Sequence, residues 1–323
     1  MSFDATVVAE EIARFDGVRV RLNEPMSAHT TLGVGGPADV YVEVADEEGL
    51  VSVIRYVSTH DVPRLVVGDG ANLLVSDRGI RGVVLSLVGD FQRVKVEEPY
   101  IEAGAGARLS TVADLAADSN LAGFEPVGVV PGTVGGAIVM NAGTHAGYID
   151  QIVRDVHAID ELGNKLVLSR DECGFSYRSS RFQRDDSLII TKAVFRLHPG
   201  DGAEIRKLLE RVRRHRAESQ PRGKSAGCFF KNPPASSSSE QPQSGYCLSA
   251  GKLIEQAGCK GLSRGDAVVS EVHANFIINR GNATARDILA LAEDVRRIVK
   301  EKTGIELEYE VRIVGEWSEE VKS

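Results

Sequence analysis

The chain has few cysteines, and none of them occurs in a metal-binding spacing. Its 323 residues contain Cys173, Cys228, Cys247 and Cys259 without any CxxC motif, so neither zinc nor any other metal is expected. The first residues, MSFDATVVAEEIARF, have neither the basic start nor the apolar core of a secretory signal. We therefore expect reduced thiols and a cytoplasmic protein.

The sequence also lacks a long apolar run and an excess of positive charge. No segment approaches the roughly 20 apolar residues that a membrane helix requires. The net charge of −8 is unfavourable for general binding to nucleic acid, whose phosphates need a cationic surface. We therefore expect no membrane insertion and no nucleic-acid partner. The 323 residues are enough for two or three globular domains.

Helical and strand-like patterns alternate along the chain, which indicates an α+β or α/β protein. One helix is predicted at the N-terminus, with Val7, Val8, Ile12 and Phe15 on one face, and another between a capping box at Thr284 and Asp287 and a stop at Gly304. Further helices are predicted at 47–60, 109–118, 204–217 and 250–257. Strands are predicted at 18–22, 39–44, 152–160, 165–168, 187–197 and 306–314.

Two glycine-rich segments are candidates for a ligand site. GDGANLL (68–74) follows an apolar strand, and PGTVGGAIVMNAG (131–143) combines a helix-starting turn with Gly135 and Gly136. Glycine loops can aim backbone amides at anions. A tight turn would also explain the first segment, and close helix packing would also explain the second. The first is not a dinucleotide fingerprint, because Leu73 occupies its third glycine position. Two such segments together suit a pyrophosphate.

Two polar segments carry further candidates. In CGFSYRSSRF (173–182), Arg178 is a natural partner for a carboxylate or phosphate, although loop arginines are most often solvated. In KSAGCFFKNP (224–233), Cys228 is either a reactive thiol or a small buried apolar residue. The Ser- and Pro-rich segment 234–245 is too polar to pack and is predicted to be a mobile loop, either a lid or a passive insertion.

Eight segments spread over nearly the whole chain form a pattern more specific than any single glycine loop. They are HTTLGVGGPAD (29–39), VVGDGANLLVSDRGIRGVV (66–84), GVVPGTVGGAIVMNAGTHAG (128–147), FSYRSSRF (175–182), SAGCFFKNP (225–233), AGKLIEQAGCKG (250–261), VSEVHANFIINRGNATARDI (269–288) and LEYEVRIVG (307–315). In this order they resemble the UDP-N-acetylenolpyruvoylglucosamine reductase family, flavoenzymes that complete UDP-N-acetylmuramic acid for peptidoglycan.

The resemblance implies an α+β fold of three domains. Two of them form a FAD-binding unit like that of vanillyl-alcohol oxidase, and the third binds substrate. The expected bounds are 1–88 with 306–323 for the first FAD-binding domain, 89–215 for the second and 216–305 for the substrate-binding domain. We expect a monomer that takes a UDP-sugar as substrate and uses FAD and NADPH.

The implied reaction is the reduction of UDP-N-acetylglucosamine enolpyruvate to UDP-N-acetylmuramate. NADPH reduces FAD, reduced FAD gives a hydride to the vinyl C3, and a protein acid protonates C2. Cys228 matches the position of that acid, which is usually serine, and a thiol is a stronger acid than an aliphatic alcohol. Arg178 and Glu310 match the groups that polarise the substrate carboxylate, and Glu310 can donate only if burial raises its pKa.

Other site residues are carried over from the same segments. The cofactor contacts are Val67, Gly68, Asp69, Gly70, Ala71, Asn72, Leu73, Pro131, Gly132, Thr133, Gly135, Gly136, Ala137, Asn141 and Gly143. The substrate contacts are Tyr177, Lys224, Lys231 and Asn232. Tyr309 replaces a proline that many family members have, which is expected to change only local rigidity.

Two other functions stay open. One is a different FAD-dependent oxidase or dehydrogenase of the same fold, but such enzymes often tether FAD through a histidine, and the glycine loops contain none. The other is a nucleotide-binding module without chemistry. Retention of Cys228, Arg178 and Glu310 argues against that loss.

Overall fold

The computed structural model describes residues 3–234 and 249–317. Cys247 and all but the first residue of the loop predicted at 234–245 therefore lie outside the described residues. The helices in the described ranges are α1 (Ala5–Ile12), α2 (Glu47–Thr59), α3 (Leu109–Asp118), α4 (Glu125–Gly128), α5 (Val134–Met140), α6 (Arg181–Arg184), α7 (Gly202–Ser219), α8 (Ala250–Gln256) and α9 (Ala285–Thr303). Short 3-10 helices cover Met26–Ala28, Gly89–Gln92 and Ile149–Gln151.

The strands of the same ranges are short, and many have only two or three residues. They are β1 (Val18–Pro25), β2 (Pro37–Val44), β3 (Arg64–Val67), β4 (Leu73–Val75), β5 (Ile80–Leu87), β6 (Val94–Glu97), β7 (Tyr100–Gly104), β8 (Leu121–Ala122), β9 (Gly143–Thr144), β10 (Gly147–Tyr148), β11 (Val153–Ile159), β12 (Lys165–Ser169), β13 (Ile189–Arg196), β14 (His198–Pro199), β15 (Ser263–Arg264), β16 (Ala267–Val269), β17 (Ile277–Asn279) and β18 (Arg312–Val314).

The chain forms two compact units, each made of segments that are far apart in sequence. Unit 1 comprises Met1–Glu24, Ala38–Asp69 and Arg81–Arg214. Unit 2 comprises Pro25–Pro37, Gly70–Ile80 and His215–Ser323. The bounds of the three predicted domains stay a prediction.

The two larger sheets of unit 1 contribute to one apolar core. Strands β1, β2, β5 and β3 form a four-stranded sheet in this order, with β3 parallel to β5. Strands β12, β11, β13, β7 and β6 form an antiparallel five-stranded sheet. Val42 of β2, Leu85 of β5, Ile101 of β7 and Phe195 of β13 belong to a single cluster of buried side chains. The sheets therefore share the apolar burial that stabilises the unit.

Unit 2 combines helices with smaller sheets. Strands β15, β16 and β17 form an antiparallel sheet, and β18 pairs in parallel with β4. Its core is a separate cluster that includes Phe229, Leu253 of α8 and Leu291 and Val295 of α9. The mixture of helices and sheets in both units confirms the predicted α+β class.

Helix α9 begins and ends where the sequence predicts. The Thr284 hydroxyl accepts a hydrogen bond from the Asp287 N–H at 3.0 Å, and the Asp287 carboxylate accepts one from the Thr284 N–H at 3.0 Å. Gly304 ends the helix with a left-handed φ of 73°. The capping box and terminal glycine satisfy backbone groups that the helix leaves unpaired.

Two predicted elements are wrong in part. The first helix ends at Ile12, so Phe15 lies beyond it, and Val7 is 52% exposed rather than on the buried face. The strand predicted at 306–314 is reduced to Arg312–Val314. Its earlier residues are held differently, because Tyr309 forms an isolated bridge with Phe230.

The other predicted helices and strands are confirmed to within three residues at each end. Within the described ranges, no helix is long and apolar enough to cross a membrane. The same residues contain no group of three or more His, Cys, Asp or Glu side chains that could hold a metal ion.

Candidate functional site

The two glycine-rich segments approach each other in unit 1. Gly68 follows β3, and a Cβ atom built on it would lie 2.4 Å from Oγ1 of Thr133. The Thr133 hydroxyl also accepts a hydrogen bond from the Gly136 N–H at 3.4 Å and so caps α5. Because no side chain fits at residue 68, the two loops lie close together there.

Four backbone N–H groups near this contact have no acceptor among the described residues. Among the residues that the structure describes, the N–H groups of Gly68, Asp69, Gly132 and Thr133 form no hydrogen bond. The Gly135 N–H, by contrast, donates to a carbonyl oxygen at 2.8 Å. Clustered free amides in glycine loops are typical of anion-binding sites. The two loops therefore fit the diphosphate of a dinucleotide such as FAD.

The two glycines at the start of α5 differ in their surroundings. A Cβ atom on Gly135 would lie 3.1 Å from Cβ of Ala105, so close packing accounts for this glycine. Among the described atoms, a Cβ atom on Gly136 would meet only Oγ1 of Thr133, at 3.5 Å, and the residue is exposed. Helix packing therefore explains Gly135 and leaves the surface at Gly136 open to a ligand.

Several of the predicted cofactor contacts have buried side chains. Val67, Leu73 and Ala137 are part of the apolar interior of their units, so only their backbone atoms are available to a cofactor. Pro131 is exposed at the start of its loop, and Ala71 is partly exposed. The contacts predicted for these five residues stay predictions.

The second half of the first loop belongs to unit 2 and is connected there to the predicted catalytic glutamate. Gly70 has a φ of +63°, and a Cβ atom on it would lie 2.1 Å from the His29 carbonyl oxygen. The Asn72 side-chain amide donates to the Glu310 carbonyl at 3.0 Å. The Asn72 carbonyl accepts from the Arg312 N–H at 3.0 Å. Asn72 therefore fixes the backbone on which Glu310 lies.

Asn141 connects the end of α5 to the loop that carries Arg178. It is buried and has a left-handed φ of 42°. Its Nδ2 donates to the Ser176 carbonyl at 3.0 Å, and its Oδ1 accepts from the Asp150 N–H at 3.2 Å. The side chain is thus used within unit 1, and its contact with a cofactor stays a prediction.

The guanidinium group of Arg178 lies close to two aromatic rings. Its guanidinium carbon lies 5.8 Å from the ring centres of both Tyr148 and Tyr177. One guanidinium nitrogen donates to the Gly143 carbonyl at 3.2 Å. The residue has a φ of 51°, a left-handed conformation that few side chains adopt. The faces of aromatic rings attract and orient a guanidinium group. The guanidinium of Arg178 is therefore suited to bind a carboxylate.

Cys228 and Glu310 lie on neighbouring backbone segments of unit 2. The carbonyl of Phe229, the residue after Cys228, accepts a hydrogen bond from the Glu310 N–H at 2.9 Å. Both Cys228 and Glu310 are partly buried. Gly227, on the other side of Cys228, has a φ of +76°, and a Cβ atom there would meet no described residue within 4 Å. No part of the chain that the structure describes therefore covers the backbone at this glycine.

Buried side chains hold these two segments together. Asn275 accepts from the Phe230 N–H at 2.9 Å and donates to the Phe230 carbonyl at 2.8 Å. The ring of Tyr309 stacks on that of Phe230 with centres 5.5 Å apart. Burial raises the pKa of Tyr309, and its hydrogen bond to Glu293 acts in the same direction. The phenol therefore stays protonated and anchors the residue that precedes Glu310.

The side chains of unit 2 that are predicted to contact the substrate also contact other residues of this unit. The Lys224 side chain lies over Gly33, where a Cβ atom would be 2.7 Å from its Cδ. The Lys231 ammonium is 3.5 Å from a carboxylate oxygen of Glu308. The Asn232 Oδ1 accepts from the first N–H of α8 at 3.0 Å. Their roles toward substrate stay predictions, as does that of Tyr177 in unit 1.

An arginine near the glycine loops has no counterpart in the sequence prediction. Arg108 lies 3.2 Å from the Asp69 carboxylate through its Nε, and its backbone forms an isolated bridge with Thr133. It precedes α3 in the stretch GAGARLS, which matches no motif. Only the folded chain brings this cation to the loops.

Two family models match separate parts of the chain. Residues 38–169 match the FAD binding domain model. Residues 219–314 match the model of the UDP-N-acetylenolpyruvoylglucosamine reductase, C-terminal domain. The first range includes Gly68 and Thr133, and the second includes Cys228 and Glu310.

Named relatives and a solved structure extend this likeness to most of the chain. The UDP-N-acetylenolpyruvoylglucosamine reductases of Caldanaerobacter subterraneus and Heliobacterium modesticaldum are 45% and 44% identical, over 92% and 91% of this chain and 94% and 90% of their own length. The crystal structure of the Thermus caldophilus reductase (MurB) aligns with a TM-score of 0.76 and 37% identity, covering 92% of this chain and 98% of that one. The chain belongs to the UDP-N-acetylenolpyruvoylglucosamine reductase family.

Proposed function

We propose that this protein reduces UDP-N-acetylglucosamine enolpyruvate to UDP-N-acetylmuramate, with FAD as cofactor and NADPH as reductant, in peptidoglycan precursor synthesis. Membership of the reductase family over nine-tenths of the chain supports this function. The observation that carries it is the backbone contact between the segments of Cys228 and Glu310. That contact lies within the range that matches the C-terminal reductase domain.

The backbone of unit 1 provides the binding groups for FAD. The free N–H groups of Gly68, Asp69, Gly132 and Thr133 are donors for its diphosphate, and the open surface at Gly136 leaves room for it. When bound, FAD carries a hydride from NADPH to C3 of the enolpyruvyl double bond. Side chains of the protein supply the groups that stabilise the developing charge and donate the proton.

Hydride addition at C3 places negative charge on C2 and on the adjoining carboxylate. Arg178, oriented by Tyr148 and Tyr177, provides a cation for that carboxylate. Glu310, whose backbone is fixed by Asn72, donates a hydrogen bond to the same carboxylate when it is protonated. Groups aimed at developing charge are each worth about 3 kcal/mol of the barrier.

Cys228 is the acid that protonates C2. Its Sγ–H bond breaks, the proton forms the new C2–H bond, and solvent returns a proton to the thiolate. The partial exposure of the thiol suits this exchange, and no described residue would contact a Cβ atom at the neighbouring Gly227. A thiol gives up its proton far more readily than the serine hydroxyl that is usual at this position.

The absorbance spectrum tests the cofactor and the reaction class. The purified protein should be yellow, release FAD on denaturation, and be bleached by NADPH under anaerobic conditions. Addition of the enolpyruvyl sugar nucleotide should then restore the oxidised spectrum. A flavin that stays attached after denaturation would favour a different oxidase, and the absence of both flavin and NADPH oxidation would favour a module without chemistry.

The Cys228→Ala variant tests the proton donor. We expect flavin reoxidation by the substrate to slow by about 100-fold or more, since positioned acids contribute roughly that much, whereas reduction by NADPH keeps its rate. Cys228→Ser should retain a substantial part of the activity, and Cys259→Ala, a buried thiol elsewhere in unit 2, is the control. Equal slowing of both half-reactions in Cys228→Ala would rule out the donor role.

The same function suggests how the protein occurs in the cell. A UDP-sugar and NADPH are cytoplasmic metabolites, so we assign the protein to the cytoplasm as a monomer without a nucleic-acid partner. Light scattering checks the monomer, and cell fractionation checks the location. The net charge of −8 disfavours binding to nucleic acid. Binding to labelled DNA or RNA at physiological salt would therefore contradict the absence of a nucleic-acid partner.

A further inference from the structure

Arg108 occupies a distinctive place beside the two glycine loops of unit 1. Its Nε lies 3.2 Å from the carboxylate of Asp69 in the first loop. Its backbone is bridged to Thr133 of the second loop, because the residue after it donates to the Gly132 carbonyl at 3.1 Å. One arginine therefore contacts both of the loops whose amides are free.

The remaining donors of Arg108 are available. The side chain is 71% exposed, and within the described parts of the chain the Asp69 carboxylate is its one side-chain partner. A guanidinium group has five N–H donors in a planar fork. Because the contact with Asp69 is made through Nε, the two outer nitrogens can both donate to the same anion.

We propose that Arg108 binds the diphosphate of FAD, and that Asp69 holds its guanidinium beside the two loops. This inference rests on the proposed FAD-dependent function. The backbone amides carry only partial charge, whereas a diphosphate is fully ionised. Arg108 supplies the full positive charge and a bidentate geometry that suits phosphate oxygens.

The charge of Asp69 makes the site dependent on Arg108. While the ion pair is intact, the arginine offsets the carboxylate. Without Arg108, the Asp69 carboxylate stays beside the Gly68 and Asp69 amides and repels the diphosphate. Loss of the arginine thus removes an attraction and exposes a repulsion, and both effects weaken with salt.

Flavin binding to the apoprotein tests the proposal directly, without reference to turnover. FAD and riboflavin, which has no phosphate, are titrated against the wild-type chain, Arg108→Gln, Arg108→Lys and Arg206→Gln. Arg206 is the matched control, because it pairs with Asp118 at the opposite end of α3 and is likewise exposed. Quenching of flavin fluorescence gives the dissociation constants.

We expect Arg108→Gln to weaken FAD binding about tenfold at low salt, as for the loss of a charged hydrogen bond, and to leave riboflavin binding unchanged. Arg108→Lys should show a smaller loss, Arg206→Gln none, and Asp69→Asn in the Arg108→Gln background a partial recovery. The difference between wild type and Arg108→Gln should shrink as salt is raised.

Two results would overturn the role of Arg108. One is unchanged FAD affinity in Arg108→Gln, and the other is an equal loss for FAD and riboflavin, which would mean general damage to the site. Failure of the wild-type apoprotein to bind FAD would instead contradict the proposed function itself. The two failures are therefore distinguishable in one set of titrations.

Discussion

At the scale of single residues, the three cysteines in the described ranges differ in what their thiols can do. Cys173 is buried in unit 1, and burial raises its pKa to about 11. Burial also raises the pKa of Cys259 in unit 2. Cys228 is partly exposed on the segment bonded to Glu310. Among the three cysteines that the structure describes, burial therefore separates Cys173 and Cys259 from the partly exposed Cys228.

Thiol alkylation should distinguish these residues. With iodoacetamide near neutral pH, Cys228 should be modified well before Cys173 and Cys259, because a raised pKa lowers the reactive thiolate fraction and burial blocks access. Mass spectrometry of tryptic peptides at timed intervals gives the three rates, with urea-unfolded protein as the control in which all three react. Modification of Cys173 as fast as Cys228 in the folded chain would contradict the assignment.

The sequence could identify Cys228, Arg178 and Glu310 only through segments that resemble a family. Nothing in local spacing brings the segment of residue 228 to that of residue 310, since the backbone hydrogen bond between them joins Phe229 to the distant Glu310. Arg108 was missed altogether, because it lies in no motif and acquires its position from a bridge to Thr133. Side-chain chemistry is visible in sequence, but long-range pairing is not.

At the scale of elements, α9 shows what local sequence determines. Its capping box and terminal glycine are local signals, and both ends were predicted. The structure adds Asp77, whose carboxylate accepts from the N–H groups of Ala285 and Arg286 at 2.8 and 2.9 Å. Since Asp77 is far away in sequence, this second cap could not be predicted. It connects the turn after β4 to α9.

Removal of the second cap should destabilise unit 2. Asp77→Ala leaves two N–H groups of α9 without their acceptor, so we expect a loss of about 1–2 kcal/mol in the free energy of unfolding. Glu301→Ala, which removes only an exposed ion pair with Arg297 near the other end of α9, should cost less than about 0.5 kcal/mol. Urea titrations give both values, and equal losses would mean that Asp77 is not a cap.

The prediction of a strand at 306–314 was wrong in part because this segment, unlike α9, is shaped by distant contacts. Its alternating apolar residues suit a strand, and Leu307 and Val311 are indeed buried. The two side chains nevertheless lie in an irregular segment. Its backbone is irregular because Tyr309 forms a bridge with Phe230 and the Glu310 N–H donates to the Phe229 carbonyl. Periodicity predicted which side chains are buried but not the hydrogen-bond partner that breaks the strand.

At the scale of the whole molecule, each unit has its own apolar core. The larger cluster includes Phe124 and Phe195 of unit 1, and the smaller one includes Phe229 and Leu291 of unit 2. Chain length predicts more than one domain, but no local signal predicts that 25–37 and 70–80 join unit 2. The single tryptophan, Trp317, packs against the core of unit 2 and donates to a nearby carbonyl at 3.0 Å.

Separate cores should unfold separately in the apoprotein, and Trp317 reports on one of them. Phe195→Ala should cost unit 1 about 3–5 kcal/mol, and Leu291→Ala should cost unit 2 about 2–5 kcal/mol, because both side chains are fully buried. The urea midpoint of unfolding followed by tryptophan fluorescence should be lowered only in Leu291→Ala. The unfolding curve followed by far-UV circular dichroism should change in both variants. If Phe195→Ala moved the fluorescence midpoint as far as Leu291→Ala does, the two cores would form one cooperative unit.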